Sequence, residues 1–351
     1  MAHFAVPGLL FALAFVLTTW GLRMTLPRGD GDLLTGKLAA FEKQDAADPF
    51  NVVFLGSSRI YHGVRPEVFD ARMKERGHSV RSFNLAVTGQ KIDGAFSALR
   101  SLTAQEPQGV RYVFVDPERI SLMLSDLRRS MRGLIPLHDF GSSELLLDYV
   151  WNSDLKFWDK YDRSVEIVQA CAYDTVNVGR GLGWLDDLLG RSPTTEDMAF
   201  RIGPRADGWR SKDDRPKAKS AEAHRKFLAA PGAWRAAVNR LVRTEPDSEP
   251  LHESAKPLIT RIAELARENG AEPLFFTSPS NAYHGQLLQA HEQGVVQTLF
   301  RFNDPEAYPE LYEADARWEA VHLSEEGANR FSRILADRFA DWLDAKGEQE
   351  Q

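Results

Sequence analysis

Four short runs mark strands along the chain: Asn51-Val52-Val53-Phe54-Leu55, Val80 to Leu85, Arg111-Tyr112-Val113-Phe114-Val115 and Leu274-Phe275-Phe276-Thr277. Three of them are nearly continuously apolar, the pattern of strands covered on both faces in a parallel sheet. Between them the apolar positions change to helical spacing. Val68, Phe69 and Met73 define a helix over Pro66 to Arg76, and Ala95, Leu99 and Leu102 mark another. Leu258, Ile259, Ile262 and Leu265 share one face of Glu253 to Asn269, and Gly270 suits the left-handed position that closes a helix. Phe331, Ile334, Leu335, Phe339 and Trp342 do the same for a terminal helix over Glu325 to Lys346. Strands and helices that alternate with short connections predict an α/β fold: a three-layer, doubly wound, mostly parallel sheet with helices on both faces.

The rhythm breaks at two places. Residues 125–250 carry Trp151, Trp158, Trp184, Trp209 and Trp234 and a mostly helical pattern, so they read as an insertion between the two parts of one α/β domain, 50–124 and 251–351. The other break is the amino terminus, where Phe4 to Trp20 holds no charged residue. Its length is at the short end of the roughly 17–25 residues a spanning helix needs. No small-residue cleavage site follows it. Residues 1–24 are therefore expected to be a retained signal anchor, with a cleaved signal peptide and a buried N-terminal helix as the alternatives, and residues 25–49 a polar juxtamembrane linker. Arg23 and Arg28 follow the apolar run, so charge alone does not favour export of the rest. The expected location is nonetheless the cytoplasmic membrane, single-pass, with the soluble domain outside it.

Composition narrows the classes. A chain of 351 residues, 43% hydrophobic and 26% charged, builds a sizeable core. The net charge of −7 argues against a dedicated nucleic-acid binder. A single cysteine, Cys171, excludes an internal disulfide framework and a cysteine zinc cluster. Within 201–243, 12 Lys/Arg face 4 Asp/Glu, a local +8 that leaves −15 on the rest. That segment is either a solvated insertion or an electropositive surface for an anionic glycan or a phospholipid headgroup.

Gly56-Ser57-Ser58-Arg59 follows the first strand and turns toward a helix. Open α/β sheets place their sites in the crevice at the carboxyl ends of their strands. A serine there can act as nucleophile, and backbone N–H groups of the following turn can hold an oxyanion. Far along the chain stands Glu319-Ala320-Val321-His322-Leu323, an acid three residues before a histidine. A carboxylate so placed can orient the imidazole, and the imidazole can take the proton of a serine brought in by the fold. Tyr61 and His62 either line that site or are carried away by one turn of helix. Ser278-Pro279-Ser280-Asn281 either shapes the cleft or serves as a strand-end turn. No helical zinc motif and no G-x-G-x-x-G occurs, and Leu38 breaks the P-loop spacing of Gly31 to Lys37. No metal and no cofactor is expected.

Together these blocks resemble the SGNH (GDSL-like) hydrolase superfamily, whose domain is a flavodoxin-like three-layer sandwich. Gly56-Ser57-Ser58 is similar to its first block, with Ser57 in place of the usual Asp and Ser58 at the nucleophile. Asn84-Leu85-Ala86-Val87-Thr88-Gly89 looks like the second block, with Ala86 where Gly supplies an oxyanion N–H. Glu319 to Leu323, with Gly327-Ala328 downstream, resembles the last block, Glu replacing Asp. The third block, Gly-x-Asn-Asp, has no counterpart: Asp116-Pro117-Glu118 stands there. The departures point away from a conventional esterase and toward the membrane-anchored branch that includes DltD-type proteins and the SGNH partners of alginate and cellulose acetylation.

The resemblance implies Ser58, His322 and Glu319 as catalytic, the N–H groups of Ser58 and Ala86 as the oxyanion hole, and Ser57, Arg59, Asn84 and Gly89 as site-lining. The expected function is a membrane-tethered, serine-dependent O-acyl (acetyl) transferase or esterase acting on cell-envelope or exported polysaccharide. A membrane-bound O-acyltransferase partner would then supply acyl groups. The alternative is a catalytically weak or inactive scaffold that binds glycan or an assembly partner.

Overall fold

The computed structural model describes residues 2–25, 33–117, 120, 139–176, 188–189, 195–214, 218–243, 250–280 and 284–349. Its centre is a five-stranded sheet in the order β2-β1-β3-β4-β5. The strands are β1 (Val52–Leu55), β2 (Ser82–Asn84), β3 (Tyr112–Val115), β4 (Glu272–Thr277) and β5 (Leu299–Arg301). Every pairing is parallel, with Phe54 opposite both Asn84 and Phe114 and Leu55 opposite Val115. This is the flavodoxin-like order, and its switch point falls between β1 and β3. The α/β expectation holds, and β5 is an addition: Leu299-Phe300-Arg301 is too short to announce itself among the surrounding polar residues.

Both faces of the sheet are covered, which is why its central strands β1 and β3 carry apolar or aromatic residues at every position. Val53, Leu55, Val113, Val115 and Phe275 point into one core, closed by α5 (Ile92–Thr103) and α11 (Lys256–Glu268). Val52, Phe54, Phe114, Leu274 and Phe276 point into the other, beneath α4 (Pro66–Glu75) and α13 (Glu325–Gln349). Each large apolar side chain taken from water contributes about 1.5–3 kcal/mol. The outer helices are also cross-linked by charge: Arg72 and Arg76 of α4 reach Asp337 of α13 at 2.9 and 3.0 Å.

The chain before β1 differs from the expectation. Within the presumed linker 25–49, residues 33–45 form α2 (Leu33–Asp45), because Leu34, Leu38 and Phe41 recur at helical spacing and pack on the sheet domain. The remaining linker glycines, Gly29 and Gly31, lie outside the described residues. Residues 2–25 form α1 (Ala2–Thr25), which leaves Leu10, Phe11, Leu13, Phe15, Val16 and Leu17 exposed rather than buried. Among the described residues, however, no helix is long and apolar enough to cross a membrane, so the expected membrane helix is not found there.

The 125–250 insertion is helical where it is described, but it is not one body. The hairpin of α6 (Phe140–Trp151) and α7 (Phe157–Thr175) extends the first core through Leu146, Val150, Ile167 and Ala170. By contrast α8 (Thr195–Ile202), α9 (Ala218–Ala229) and α10 (Pro231–Arg243) fold back over the carboxyl end of the sheet. There Trp234 is buried against Tyr312, and its Nε1–H donates to the Tyr312 carbonyl at 2.8 Å. Trp184 and Glu118 lie outside the described residues.

Candidate active site

β1 ends at Leu55, and Gly56 begins the turn that carries the serines. A Cβ at Gly56 would stand 2.6 Å from Ile60 Cγ1 and 3.1 Å from the Asp116 carbonyl, so the close approach of the turn to β3 requires glycine. Ser57 is buried and caps α3 (Ser58–Gly63), its Oγ accepting from the Arg59 N–H at 3.3 Å. Ser57 thus serves the helix rather than a substrate. Ser58 is the first residue of α3, half-buried, with its backbone N–H in a first turn that has no intrahelical acceptor.

Ser58 Oγ lies 2.8 Å from His322 Nε2, bringing together residues 264 positions apart. On the far side of the ring, Nδ1–H donates to Glu319 Oε1, and Glu319 Oε2 accepts the Val321 N–H at 2.8 Å. Glu in place of Asp therefore still reaches the imidazole, because the 319–322 turn folds back on itself. That turn is clamped from below. Arg317, fully buried, donates to the carbonyls of Pro279 at 3.1 Å and Ala320 at 3.0 Å. It is clamped from the side by α9, where His224 stacks on Trp318 with ring centroids 4.0 Å apart. At its end, Gly327 lies against the Ala316 carbonyl with no room for a Cβ.

The electrostatics favour a neutral imidazole. Burial pushes His322 below its ordinary value of 6.5; Glu319 opposes this, while the charges of Lys212 and Arg59 add to it. Burial alone would raise Glu319, but the His322 hydrogen bond and charge, the Val321 N–H and Lys212 hold it below its ordinary value. An unprotonated Nε2 facing a serine hydroxyl, with an ionised carboxylate behind it, is a general base aligned on a nucleophile.

The remaining site expectations divide. Ala86 is buried, and its N–H donates to Asn84 Oδ1 at 3.1 Å, so the expected second oxyanion donor is already engaged. Asn84 itself is internal scaffolding: its Nδ2 donates to the carbonyls of Ile60 at 2.8 Å and Val64 at 2.7 Å, tying α3 to the loop after β2. Its expected place lining the site is corrected on that ground. Gly89 occupies an exposed turn at φ +80°, and nothing in the geometry joins it to Ser58. Arg59 is buried, donates to Ser280 Oγ at 3.3 Å and acts on His322 by its charge. Asp116 stands where the third-block asparagine is missing. Its carboxylate accepts the Ser278 N–H at 3.2 Å, so it steadies the turn after β4 and, when ionised, has no proton to offer an oxyanion. Asn281 lies outside the described residues.

A cleft of about 690 Å³ opens beside the triad, walled by Tyr61, His62, Val87, Arg210 and Lys212 among others. Tyr61 and His62 are therefore kept at the site. The basic segment 201–243 splits as well: Arg201, Arg210 and Lys212 face the cleft, while Arg205 and Lys226 pair with Glu67 and Glu222.

Sequence reasoning missed Lys37. It is fully buried in α2, its Nζ donating to the carbonyls of Asn84 at 2.9 Å and Ala86 at 2.6 Å and lying 4.0 Å from the centre of the Tyr61 ring. Burial drives its pKa well below the ordinary value, against the attraction of Asp207. The available signal was a lysine at a core position of the Leu34/Leu38/Phe41 stripe. Among the described residues no cluster of His, Cys, Asp or Glu has the arrangement of a metal centre. In comparisons with known proteins, no family model matches the chain and no curated protein matches it.

Proposed function

We propose that this protein is a serine-dependent acyl-transfer enzyme, an O-acyltransferase or esterase of the SGNH type, acting on a hydroxyl-rich acceptor such as an envelope polysaccharide. The observation that carries this reading is the continuous hydrogen-bonded line Ser58–His322–Glu319 at the carboxyl end of β1. In the first half-reaction Ser58 Oγ attacks the acyl carbonyl carbon while His322 Nε2 takes the hydroxyl proton. The tetrahedral oxyanion forms beside the Ser58 N–H and within the field of Arg59. Its collapse breaks the bond to the leaving group, which receives the proton from His322. In the second, the acceptor hydroxyl or water gives its proton to His322 and attacks the acyl-serine. Ser58 leaves with that proton, and the catalyst is restored.

The exposed apolar side chains of α1 support membrane association through that helix, with the α/β domain held near its acceptor. A membrane-bound O-acyltransferase that delivers acyl groups remains the partner this reading calls for. The engaged Ala86 N–H favours a second reading, an inactive scaffold, because it leaves one of the two expected oxyanion donors occupied.

The deciding experiment is turnover of p-nitrophenyl acetate by the full-length protein, beside labelling of Ser58 with a fluorophosphonate. The enzyme reading expects labelling at Ser58 and a fall in kcat of at least about 10³-fold in Ser58→Ala and in His322→Ala. An unlabelled Ser58 with turnover at the uncatalysed rate would establish the scaffold instead. Activity that survives both substitutions would move the site elsewhere.

A further inference from the structure

His62 is a histidine in ring contact with His322 that the proposed chemistry does not use. It follows Ser58 by four residues on α3, so the two side chains share a helix face. Its ring stands edge-on to that of His322, the planes 84° apart and the centroids 5.8 Å apart. It also lines the 690 Å³ cleft, as does Lys212, whose charge acts on both Glu319 and His322. The cleft thus reaches the triad through His62, whose ring meets that of His322.

The hydrogen bonding of His62 determines what it can offer. Its Nδ1 lies 2.9 Å from the Arg210 carbonyl, and a carbonyl only accepts, so Nδ1 carries the proton. Nε2 is then a bare lone pair. Burial, with Lys212, His322 and Lys37 adding to it, pushes the ring down to about 3 despite the Arg210 carbonyl, so it is neutral at any working pH. The Arg210 carbonyl fixes the ring, and the His62 backbone carbonyl, which accepts Trp209 Nε1–H at 3.1 Å, fixes the residue that carries it. A fixed, permanent hydrogen-bond acceptor therefore stands next to a general base, in a cleft whose other polar groups include the donors Arg210 and Lys212.

Resting on the acyl-transfer reading, we propose that the cleft is the acceptor subsite and that it takes a vicinal diol, as a saccharide presents. One hydroxyl donates to His62 Nε2 while its neighbour donates to His322 Nε2 and attacks the acyl-serine. The two imidazoles divide the labour. His322 removes the proton of the reacting oxygen, and His62 is a positioning residue that loses and gains none. A monoalcohol satisfies only one of the two and leaves His62 Nε2 to a separately ordered water, so the diol, which meets both with one molecule, is favoured.

The test uses p-nitrophenyl acetate as donor and compares cis-1,2-cyclohexanediol with cyclohexanol as acceptors, reading acetyl ester formed per p-nitrophenol released. The full-length protein is expected to favour the diol by at least about fivefold, the worth of one net hydrogen bond. His62→Leu should bring that ratio down to the statistical value set by the diol's two hydroxyls against one. His62→Gln should restore most of it, because an amide can donate to the Arg210 carbonyl and accept with its oxygen. The ratio is internal to each variant, so a general loss of activity does not move it. A wild-type ratio no higher than that statistical value, or a ratio unchanged in His62→Leu, would overturn the proposal. A wild-type protein with no Ser58-dependent release would sink the acyl-transfer reading instead. In that case, ligand-observed NMR of the diol with Ser58→Ala still decides the subsite: binding that His62→Leu weakens supports it, and binding that it leaves unchanged rejects it.

Discussion

Ser58, His322 and Glu319 owe their chemistry to what surrounds them rather than to their types. Glu319 lifts the His322 pKa against burial and the positive charges of Lys212 and Arg59, and the net result stays below the ordinary value. Since the neutral ring is the working base, activity falls only as pH drops through that lowered value. The acid limb of kcat/KM should therefore lie below pH 6.5, with a plateau above it. Glu319→Gln removes the group that raises His322, so the limb should move further toward acid while the plateau falls by about 10²–10⁴-fold. A limb that moves toward alkali would show that Glu319 does not act on this histidine. The three positions of the proposed triad were legible because each is a reactive residue type next to a strand end or a loop acid. The roles of Asn84, Asp116 and Lys37 were not, since side-chain hydrogen bonds to backbone 20–162 residues away leave no local pattern.

At the level of elements, the short connections keep the site in register, and titratable groups hold some of them. Asp70 of α4 accepts from the Ser82 N–H at 3.1 Å and the Ser82 hydroxyl at 2.6 Å, pinning the helix to β2. Burial raises its pKa from 3.8 to about 7, although the Ser82 hydrogen bonds oppose that rise. Between these values the folded protein keeps a proton that the unfolded chain has released. The stability contribution of Asp70 is thus fully present below pH 3.8 and is lost as pH rises toward 7. Asp70→Asn cannot titrate, so its melting temperature relative to wild type should improve between pH 5 and pH 8. A difference that stays constant or worsens would refute the raised carboxyl. The elements themselves were readable where a stripe or an apolar run exceeded four or five residues. β5 and α2 escaped: one offers only Leu299 and Phe300 before Arg301, and the other carries a lysine within its buried stripe.

Considered whole, the molecule joins an α/β body to a helix whose described apolar side chains, Leu10 to Leu17 among them, are uncovered. Lipid vesicles should therefore co-sediment with the full-length chain and not with a chain beginning at residue 33. That shorter chain should retain its p-nitrophenyl acetate turnover, because α2 and not α1 supplies Lys37 to the site. Equal sedimentation of both chains would place membrane affinity elsewhere, and the exposed Trp151, Phe157, Trp158 and Tyr161 of α6 and α7 would then be the first surface to examine.

Apolar periodicity was sufficient to specify the parallel sheet, the helices on its two faces and the strand end that presents Ser58, because burial on both faces writes itself into consecutive residues. Spacing within one loop was sufficient to pair Glu319 with His322. The meeting of that pair with Ser58 was expected from order and context, but only the tertiary structure supplied its distance. The fold alone also decided that the Ala86 N–H is engaged by Asn84, that Lys37 is buried beneath the site and that His62 presents a bare Nε2 beside His322. Each of these depends on which backbone group a side chain meets across the fold, and such contacts are set by packing between distant segments rather than by any neighbouring residue.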